Sequence, residues 1–302
     1  MRVLVTGASG FVGRATCKEL SERGHEVVAL VRRPGSEPPG TRAVNGDIAS
    51  PDESALKDAV AEAQADAIIH LAAEIASQRN QRKVLATNVD GTRRLVAAAK
   101  AGGTDPKLVF CSTVVTGEAN GELLEPGKPL PVQTPYGRSK QEGEHVIAGS
   151  GLPHAIVRPS HVYGPGGWYE EEFVKRLRQP GRFAVIGRGD NWWDVVRVED
   201  VASALVAAAE RAPDGAIYHA ADDEPIRYYD FIALTAKALG VGPPRRIPAV
   251  LARLAAGRHA VTAVTRSARS SNALLKEQLG WQPRFPTAET GVPDAVAGIR
   301  PA

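Results

Sequence analysis

The sequence predicts an α/β protein: a doubly wound parallel sheet with a small α/β lobe at its C-terminal end. Three observations carry this. Residues 1–33 read as strand, glycine turn, helix and strand, a βαβ unit that lays two parallel strands side by side. Apolar runs and helix-forming stretches then keep alternating as far as Ala220, the pattern of a parallel sheet with helices on both faces. A length of 302 residues suits one large domain, or one with a smaller lobe.

Met1–Val5 is a short apolar run with Arg2 its one charge, and it breaks at Thr6-Gly7-Ala8-Ser9-Gly10-Phe11-Val12-Gly13. Helix-forming sequence runs from Arg14 to Arg23, Gly24 can close it in a left-handed conformation, and Val27–Val31 is the second apolar run. Each glycine has its own task. Gly7 turns the chain off the strand, Gly10 lets the backbone approach a pyrophosphate, and Gly13 lets the helix pack close to the sheet. The helix N-terminus offers free N–H groups and a partial positive charge to the phosphates. NAD-binding chains usually place a carboxylate at the end of the second strand, about 20 residues on, for the ribose 2′-hydroxyl. Here Val31 occupies that place and Arg32-Arg33 follow. A carboxylate repels a 2′-phosphate and an Arg fork binds one. The pattern points to NADP, with NAD the alternative if the arginines only solvate a loop.

The G-x-x-G-x-x-G spacing behind Thr6 resembles the extended branch of the short-chain dehydrogenase/reductase superfamily, which includes nucleotide-sugar epimerases and dehydratases, and so implies a Rossmann-type sheet. Later stretches carry the same resemblance. Pro34–Gly40 is a loop, and Gly46-Asp47-Ile48 resembles the acidic motif after the third strand, where Asp47 is implied to accept from the adenine amino group. Asp52–Ala65 reads as an amphipathic helix. Ala67–Ala73 is a buried strand that ends in small residues and resembles the fourth-strand motif; its His70 reads as a satisfied strand-end histidine. Val84–Lys100 is a long helix in which Asn88 is implied to bond main chain and shape the site. Pro106–Cys111 is a fifth strand. Ser112-Thr113-Val114-Val115-Thr116-Gly117 resembles the serine motif, whose active hydroxyl stands five residues before the glycine; that register selects Ser112, with Thr113 the fallback. Thr116 stands where the family often carries Tyr. Glu118–Thr134 is a Pro/Gly loop over the site.

Tyr136-Gly137-Arg138-Ser139-Lys140 places Tyr and Lys four apart on one helix face. An ammonium beside a phenol favours phenolate and brings proton exchange toward neutral pH. Leu152–Val157 is a sixth strand, and Arg158–Gly166 matches the family's turn into the substrate lobe, with Pro159 near the nicotinamide. Glu170–Leu177, Val195–Ala209 and Tyr228–Leu239 contain further helices, Ala216–Ala220 is the last main strand, and Leu279-Gly280-Trp281-Gln282-Pro283 resembles a C-terminal packing motif. The resemblance implies a dinucleotide domain over residues 1–158 and about 187–220, and a substrate lobe over about 159–186 and 221–302. It implies a catalytic set of Ser112, Tyr136, Lys140 and Asn88. Tyr136 would exchange the substrate proton, Lys140 would tune it and hold the nicotinamide ribose, and Ser112 would bond the carbonyl oxygen. Implied dinucleotide contacts are Thr6, Gly7, Ser9, Gly10, Phe11, Val12, Gly13, Arg32, Arg33, Asp47 and Ile48. Leu71, Ala72, Ala73, Pro159 and Val162 join them beside Tyr136 and Lys140. Thr113, His161, Trp168 and Trp193 are the expected substrate residues, and a homodimer through Val84–Lys100 and Tyr136–Ala148 is the expected assembly.

Lys+Arg 37 against Asp+Glu 34 gives a net charge of +3, too small to imply a nucleic-acid partner. No apolar run reaches the ~20 residues of a membrane span, and no signal-peptide pattern is visible. Two cysteines are too few for a disulfide framework, so a cytoplasmic protein with reduced thiols is expected. No cluster has metal-ligand spacing. Arg245-Arg246 and Arg253–Arg269 make the C-terminal region basic, which reads as a solvated face. Three functions stay open: net oxidoreduction of a ketone or secondary alcohol, a nucleotide-sugar epimerase or dehydratase that recycles its cofactor, and a non-catalytic dinucleotide-binding protein. His161 stands where UDP-sugar epimerases usually have Asn, and Trp193 where they have an Arg for the diphosphate. Both favour an apolar or aromatic small-molecule substrate.

Overall fold

The computed structural model describes all residues except Arg79, Pro180, Arg182, Ala249, 251–263 and 300–302. Seven parallel strands form the main sheet: β1 (Arg2–Thr6), β2 (Glu26–Val31), β3 (Arg42–Asn45), β4 (Ala67–His70), β5 (Lys107–Cys111), β6 (His154–Pro159) and β7 (Ala216–Ala220). Their spatial order is β7-β6-β5-β4-β1-β2-β3. Both β2 and β4 pair with β1, Val3 lying opposite Val27 on one side and Ala67 on the other. The winding direction reverses there, and the crevice beyond the C-terminal ends of β1 and β4 is where such sheets bind ligands.

Strands this apolar must be covered on both faces. Helices Phe11–Glu22 and Val198–Arg211 cover one face, packing Cys17, Leu20, Val201, Leu205 and a run of buried alanines against Val3, Val5 and Ile69. Helices Ser54–Ala63, Gly91–Ala101 and Pro135–Ala148 cover the other, with Leu56, Leu95 and Ile147 against Leu4, Ile68 and Phe110. The first helix starts at Phe11 rather than Arg14, because Gly10 takes the extended conformation that caps it. The expected long helix after β4 is found as one helical run made of Gln81–Leu85, a π-turn at Ala86–Asp90 that contains Asn88, and Gly91–Ala101; such turns recur at functional sites.

A separate aromatic core gathers Tyr163, Tyr169, Phe173, Trp193, Tyr228 and Phe231 with Val292 and Val296. The C-terminal stretch expected in that lobe is divided: Leu275, Leu279 and Trp281 pack with the main sheet instead, and Trp281 Nε1 donates to Ser203 on the covering helix at 2.9 Å. The basic stretch divides too. Arg253 and Arg258 lie outside the described residues. Arg245 and Arg246 are exposed on a short strand. Arg266 is not a solvated charge: it is 3% exposed, because its guanidinium finds three acceptors inside the protein.

Candidate active site

The phosphate cradle is fixed by main-chain crowding. Gly7 has φ of +69°, and a Cβ on it would lie 2.7 Å from the nitrogen of Ala72, in the loop after β4. A Cβ on Gly13 would lie 2.1 Å from the Gly7 carbonyl. The first helical bond runs from Arg14 N to Gly10 O at 3.0 Å, so the N–H groups of Phe11 and Val12 precede the ladder and lack helical acceptors. No acidic residue stands in that first turn. Unpaired donors, a glycine-only approach and a helix N-terminus fit the pyrophosphate of NAD(P). Arg14 locks the turn by donating to Ser9 O at 2.6 Å.

Thr6 underlies the cradle. Its hydroxyl accepts from the N–H groups of Leu71 and Ala72, each at 3.2 Å, and donates to His70 Nδ1 at 2.7 Å. His70 Nε2 donates to Thr92 Oγ1 at 3.0 Å, and Thr92 donates to Asn88 O at 2.7 Å. Complete burial, helped by the Lys140 charge, pushes His70 down to about 3. His70 is thus the neutral, satisfied histidine expected, and it links the cradle to the π-turn.

Arg32 and Arg33 are exposed at the end of β2. Glu74, in the loop after β4, is held below the usual carboxylate range chiefly by Lys83. Asp47 Oδ1 accepts from Ala49 N at 2.9 Å. Ile48 turns its side chain into the core.

Asn88 pins two elements together. Its Oδ1 accepts from Glu74 N at 2.8 Å, while Nδ2 donates to Glu74 O and to Ser139 Oγ, both at 3.0 Å. Ser139 in turn donates to Tyr136 O at 2.8 Å. Ser139 was not among the expected site residues, although it stands inside the Tyr–Lys stretch. Helix Pro135–Ala148 approaches β5 closely: a Cβ on Gly143 would meet the Phe110 ring at 2.6 Å, and Lys140 Nζ lies 4.2 Å from that ring's centroid. Burial pushes the Tyr136 phenol up, and neighbouring Cys111 adds to this. Burial pushes Lys140 down. For the phenol, burial acts in the direction opposite to the lowering expected from a neighbouring ammonium.

Ser112 follows β5, its N–H donating to Val157 O at 2.7 Å. No hydrogen bond engages its hydroxyl among the described residues. Thr113 differs: its hydroxyl accepts from Val115 N at 2.9 Å and donates to Pro159 O at 3.4 Å. The geometry leaves Ser112, not the fallback, with a free hydroxyl. Beside it lies a cavity lined by Thr116, Gln141, Glu144 and Arg158; Thr116 keeps a buried, unpaired hydroxyl. Arg158 and Glu144 form a buried two-bond pair at 2.8 and 2.6 Å.

On the substrate side, His161 stacks on Trp193 at 3.7 Å between centroids and meets Trp168 edge-on at 6.3 Å. Trp193 is 3% exposed, packed between His161 and Tyr228. It is packed behind His161, whereas His161 and Trp168 are only half-buried. Trp192 lies elsewhere, under the Arg227 guanidinium at 3.4 Å. Arg266 and Asp194 are the residues that sequence reasoning missed. Arg266 donates to Gly117 O at 2.7 Å, Val114 O at 3.0 Å and Asp194 Oδ1 at 2.9 Å. One buried cation therefore joins the serine loop to the segment beside His161. Asp194, a charge inside the apolar run Trp192–Val196, was the one visible signal.

A family model described as the NAD dependent epimerase/dehydratase family matches residues 3–221. The chain belongs to that family. It is 31% identical to a 3-diazoavenalumate denitrifying reductase of a Streptomyces species, over 97% of this chain and 99% of the relative. It is 33% identical to the 2-alkyl-3-oxoalkanoate reductase of Stenotrophomonas maltophilia, over 81% and 77%. Among solved structures it resembles MoeE5 in complex with UDP-glucuronic acid and NAD, at a TM-score of 0.81 and 25% identity over 98% of each chain. This member of the family is an oxidoreductase of the extended short-chain dehydrogenase/reductase type, dependent on NAD(P).

Proposed function

We propose that the protein is an NADP-preferring reductase of an apolar or aromatic ketone. The observation that carries this is the state, among the described residues, of four arginines that could hold a sugar-nucleotide diphosphate. Arg197 is buried in pairs with Glu199 and Asp294. Arg227 lies on Trp192 and donates to Asp190 O at 2.6 Å. Arg188 stands out in solvent against Asp190, and Arg266 is fully engaged inside. The aromatic wall of His161 and Trp168 offers flat apolar surface instead. The name of the 2-alkyl-3-oxoalkanoate reductase supports reduction of an oxo group beside an alkyl body, and that of the denitrifying reductase supports net reduction.

In this reading NAD(P)H, when bound, supplies the hydride. Ser112 donates to the substrate carbonyl oxygen and stabilises its developing charge. Tyr136, a phenol that is protonated at neutral pH, gives its proton to that oxygen. Lys140 stands one turn away on the same helix face, placed to return Tyr136 to its protonated form and to hold the nicotinamide ribose. Asn88, through Ser139, positions the first turn of that helix. Arg32 reads the 2′-phosphate. The cytoplasm and a homodimer complete the proposal. The dimer would use Arg93, Ala97, Arg138, Glu142 and His145, since Ala98, Ala99 and Gly143 face the chain's own core; light scattering showing a monomer at tens of micromolar would refute it.

The test is NADPH oxidation against a panel of aryl and alkyl ketones, beside calorimetric titration with UDP. Ketone-dependent oxidation without micromolar UDP binding is expected. Micromolar UDP binding, with no ketone turned over, would replace this reading by that of an epimerase or dehydratase with a recycled cofactor.

A further inference from the structure

His161 opens the short strand His161–Tyr163, which pairs in parallel with Val195–Arg197. Its ring is held from several directions. Trp193 supports one face and Trp168 stands at its edge. Its Nδ1 lies 3.0 Å from the carbonyl oxygen of Asp194 and 3.4 Å from Asp194 Oδ1.

Both neighbours of Nδ1 are acceptors, which decides the tautomer. A carbonyl oxygen never donates, and a carboxylate donates only when protonated. Burial works against the Asp194 carboxylate, but Arg266 and the His161 bond outweigh it and hold the group well below its usual range. Ser270 also donates to its Oδ2 at 2.6 Å. Nδ1 therefore carries the ring proton. Burial meanwhile pushes His161 down, against the opposing pull of Asp194, so the imidazole is neutral and Nε2 is a bare lone pair. Nε2 makes no hydrogen bond among the described residues, nor is it among the side-chain atoms buried without a partner. Nε2 is therefore on the edge of the ring that keeps some exposure, the side chain as a whole being 11% exposed.

We infer that His161 Nε2 is a fixed hydrogen-bond acceptor for the substrate, and that the substrate carries a hydroxyl or N–H donor on the part lying against His161 and Trp168. The inference rests on the ketone-reductase reading and narrows it. A carboxylate or phosphate at that point would set lone pair against lone pair. An unsubstituted ketone would leave Nε2 without its bond. The substrate class is a carbonyl compound with a hydroxyl or N–H donor group beside an apolar or aromatic body. Asp194 and Arg266 act through His161 as positioning residues, since they hold the ring and its tautomer.

Two measurements test this. The first uses the NADPH-loaded protein and two probes, 2-hydroxyacetophenone and its O-methyl ether, with binding followed by tryptophan fluorescence. The hydroxy ketone should bind roughly three- to tenfold more tightly, the worth of one neutral hydrogen bond. His161→Phe, which keeps a ring on Trp193, should erase that preference, so that the ratio of the two affinities falls to about one whatever their absolute values. Equal affinities, no saturable binding of either ketone, or a preference that survives in His161→Phe overturns the inference. The second is nitrogen NMR of the ¹⁵N-histidine-labelled protein at pH 7. A proton on Nδ1 and a bare Nε2 is expected; the opposite tautomer, or an imidazolium, overturns it whatever the substrate. If the hydroxyl preference and the tautomer hold but neither ketone is reduced, the reductase reading fails and the acceptor assignment stands.

Discussion

Eight consecutive residues, Thr6 to Gly13, make the phosphate cradle, and its shape is set by main chain against main chain. The wall at His161, the proposed substrate side, is instead backed by Val114, Trp193, Asp194 and Arg266, and one of its bonds spans 152 residues of sequence. Cβ clearances of 2.1 and 2.7 Å at Gly13 and Gly7 admit one residue type only. Such a constraint appears in sequence as a spacing. The wall depends on a buried ion pair and on ring stacking, which several residue types could build and which no spacing records. One region is specified locally, the other only by the finished fold.

The sharpest way to separate the two is at the chemistry between them. Tyr136→Phe should lower kcat by ~10²–10⁴-fold, the usual worth of a positioned proton donor, while NADPH affinity stays nearly constant. Stopped-flow reduction and a cofactor titration measure both. A loss under about tenfold, with chemistry rate-limiting, would remove Tyr136 from the proton transfer.

Arg266→Met attacks the wall alone. It leaves Asp194 buried without its cation, a situation that typically costs about 3–5 kcal/mol. Urea unfolding should show that loss, and Asp194→Asn in the same chain should restore much of it. NADPH affinity should remain within about twofold of wild type if the cradle is independent, since distant sites act nearly additively. A parallel loss of cofactor binding would break the comparison and make the two regions one cooperative unit.

Arg32→Ala attacks the cradle's rim alone. A charge-assisted bond is worth about 1.5–3 kcal/mol, so the preference for NADP over NAD should shrink by roughly 10–100-fold. Titration of both cofactors into both proteins checks this. Equal affinities in wild type would show that the ribose end is not read by Arg32.

The same contrast explains what was legible in the sequence. The order of strands, Gly7, Gly10 and Gly13, and the Tyr136–Lys140 spacing are short-range regularities, and the sheet and the helix they predict are found. Ser112 was chosen by register, and the structure adds the reason to prefer it: Thr113 is engaged by Val115 and Pro159. Arg266 was read as solvated because its neighbours in sequence are polar and basic. Its partners, Val114, Gly117 and Asp194, lie on other segments, and nothing local announces them. Trp193 is expected at the cleft because it stands where UDP-sugar epimerases have an Arg, yet its ring is packed behind His161. Composition cannot distinguish the residue that lines a wall from the one packed behind it.

A last experiment probes the seam between the cradle and the helix of the site. His70 is held between Thr6 and Thr92 and is pushed down to about 3 by burial. In the unfolded chain it should titrate near 6.5. Its folded value is the lower one, so the unfolded state binds the proton first. The stability this histidine contributes is fully present above about pH 6.5 and is lost as pH falls toward 3, at about 1.4 kcal/mol per pH unit. His70→Gln keeps a polar group between the two threonines and removes the titration. The stability gap between wild type and His70→Gln should therefore narrow by roughly 2 kcal/mol between pH 6.5 and pH 5, read from urea unfolding at both values. A gap that does not change with pH would mean that His70 accepts its proton inside the fold. In that case one of its two threonine bonds must rearrange, because an imidazolium can no longer accept from Thr6.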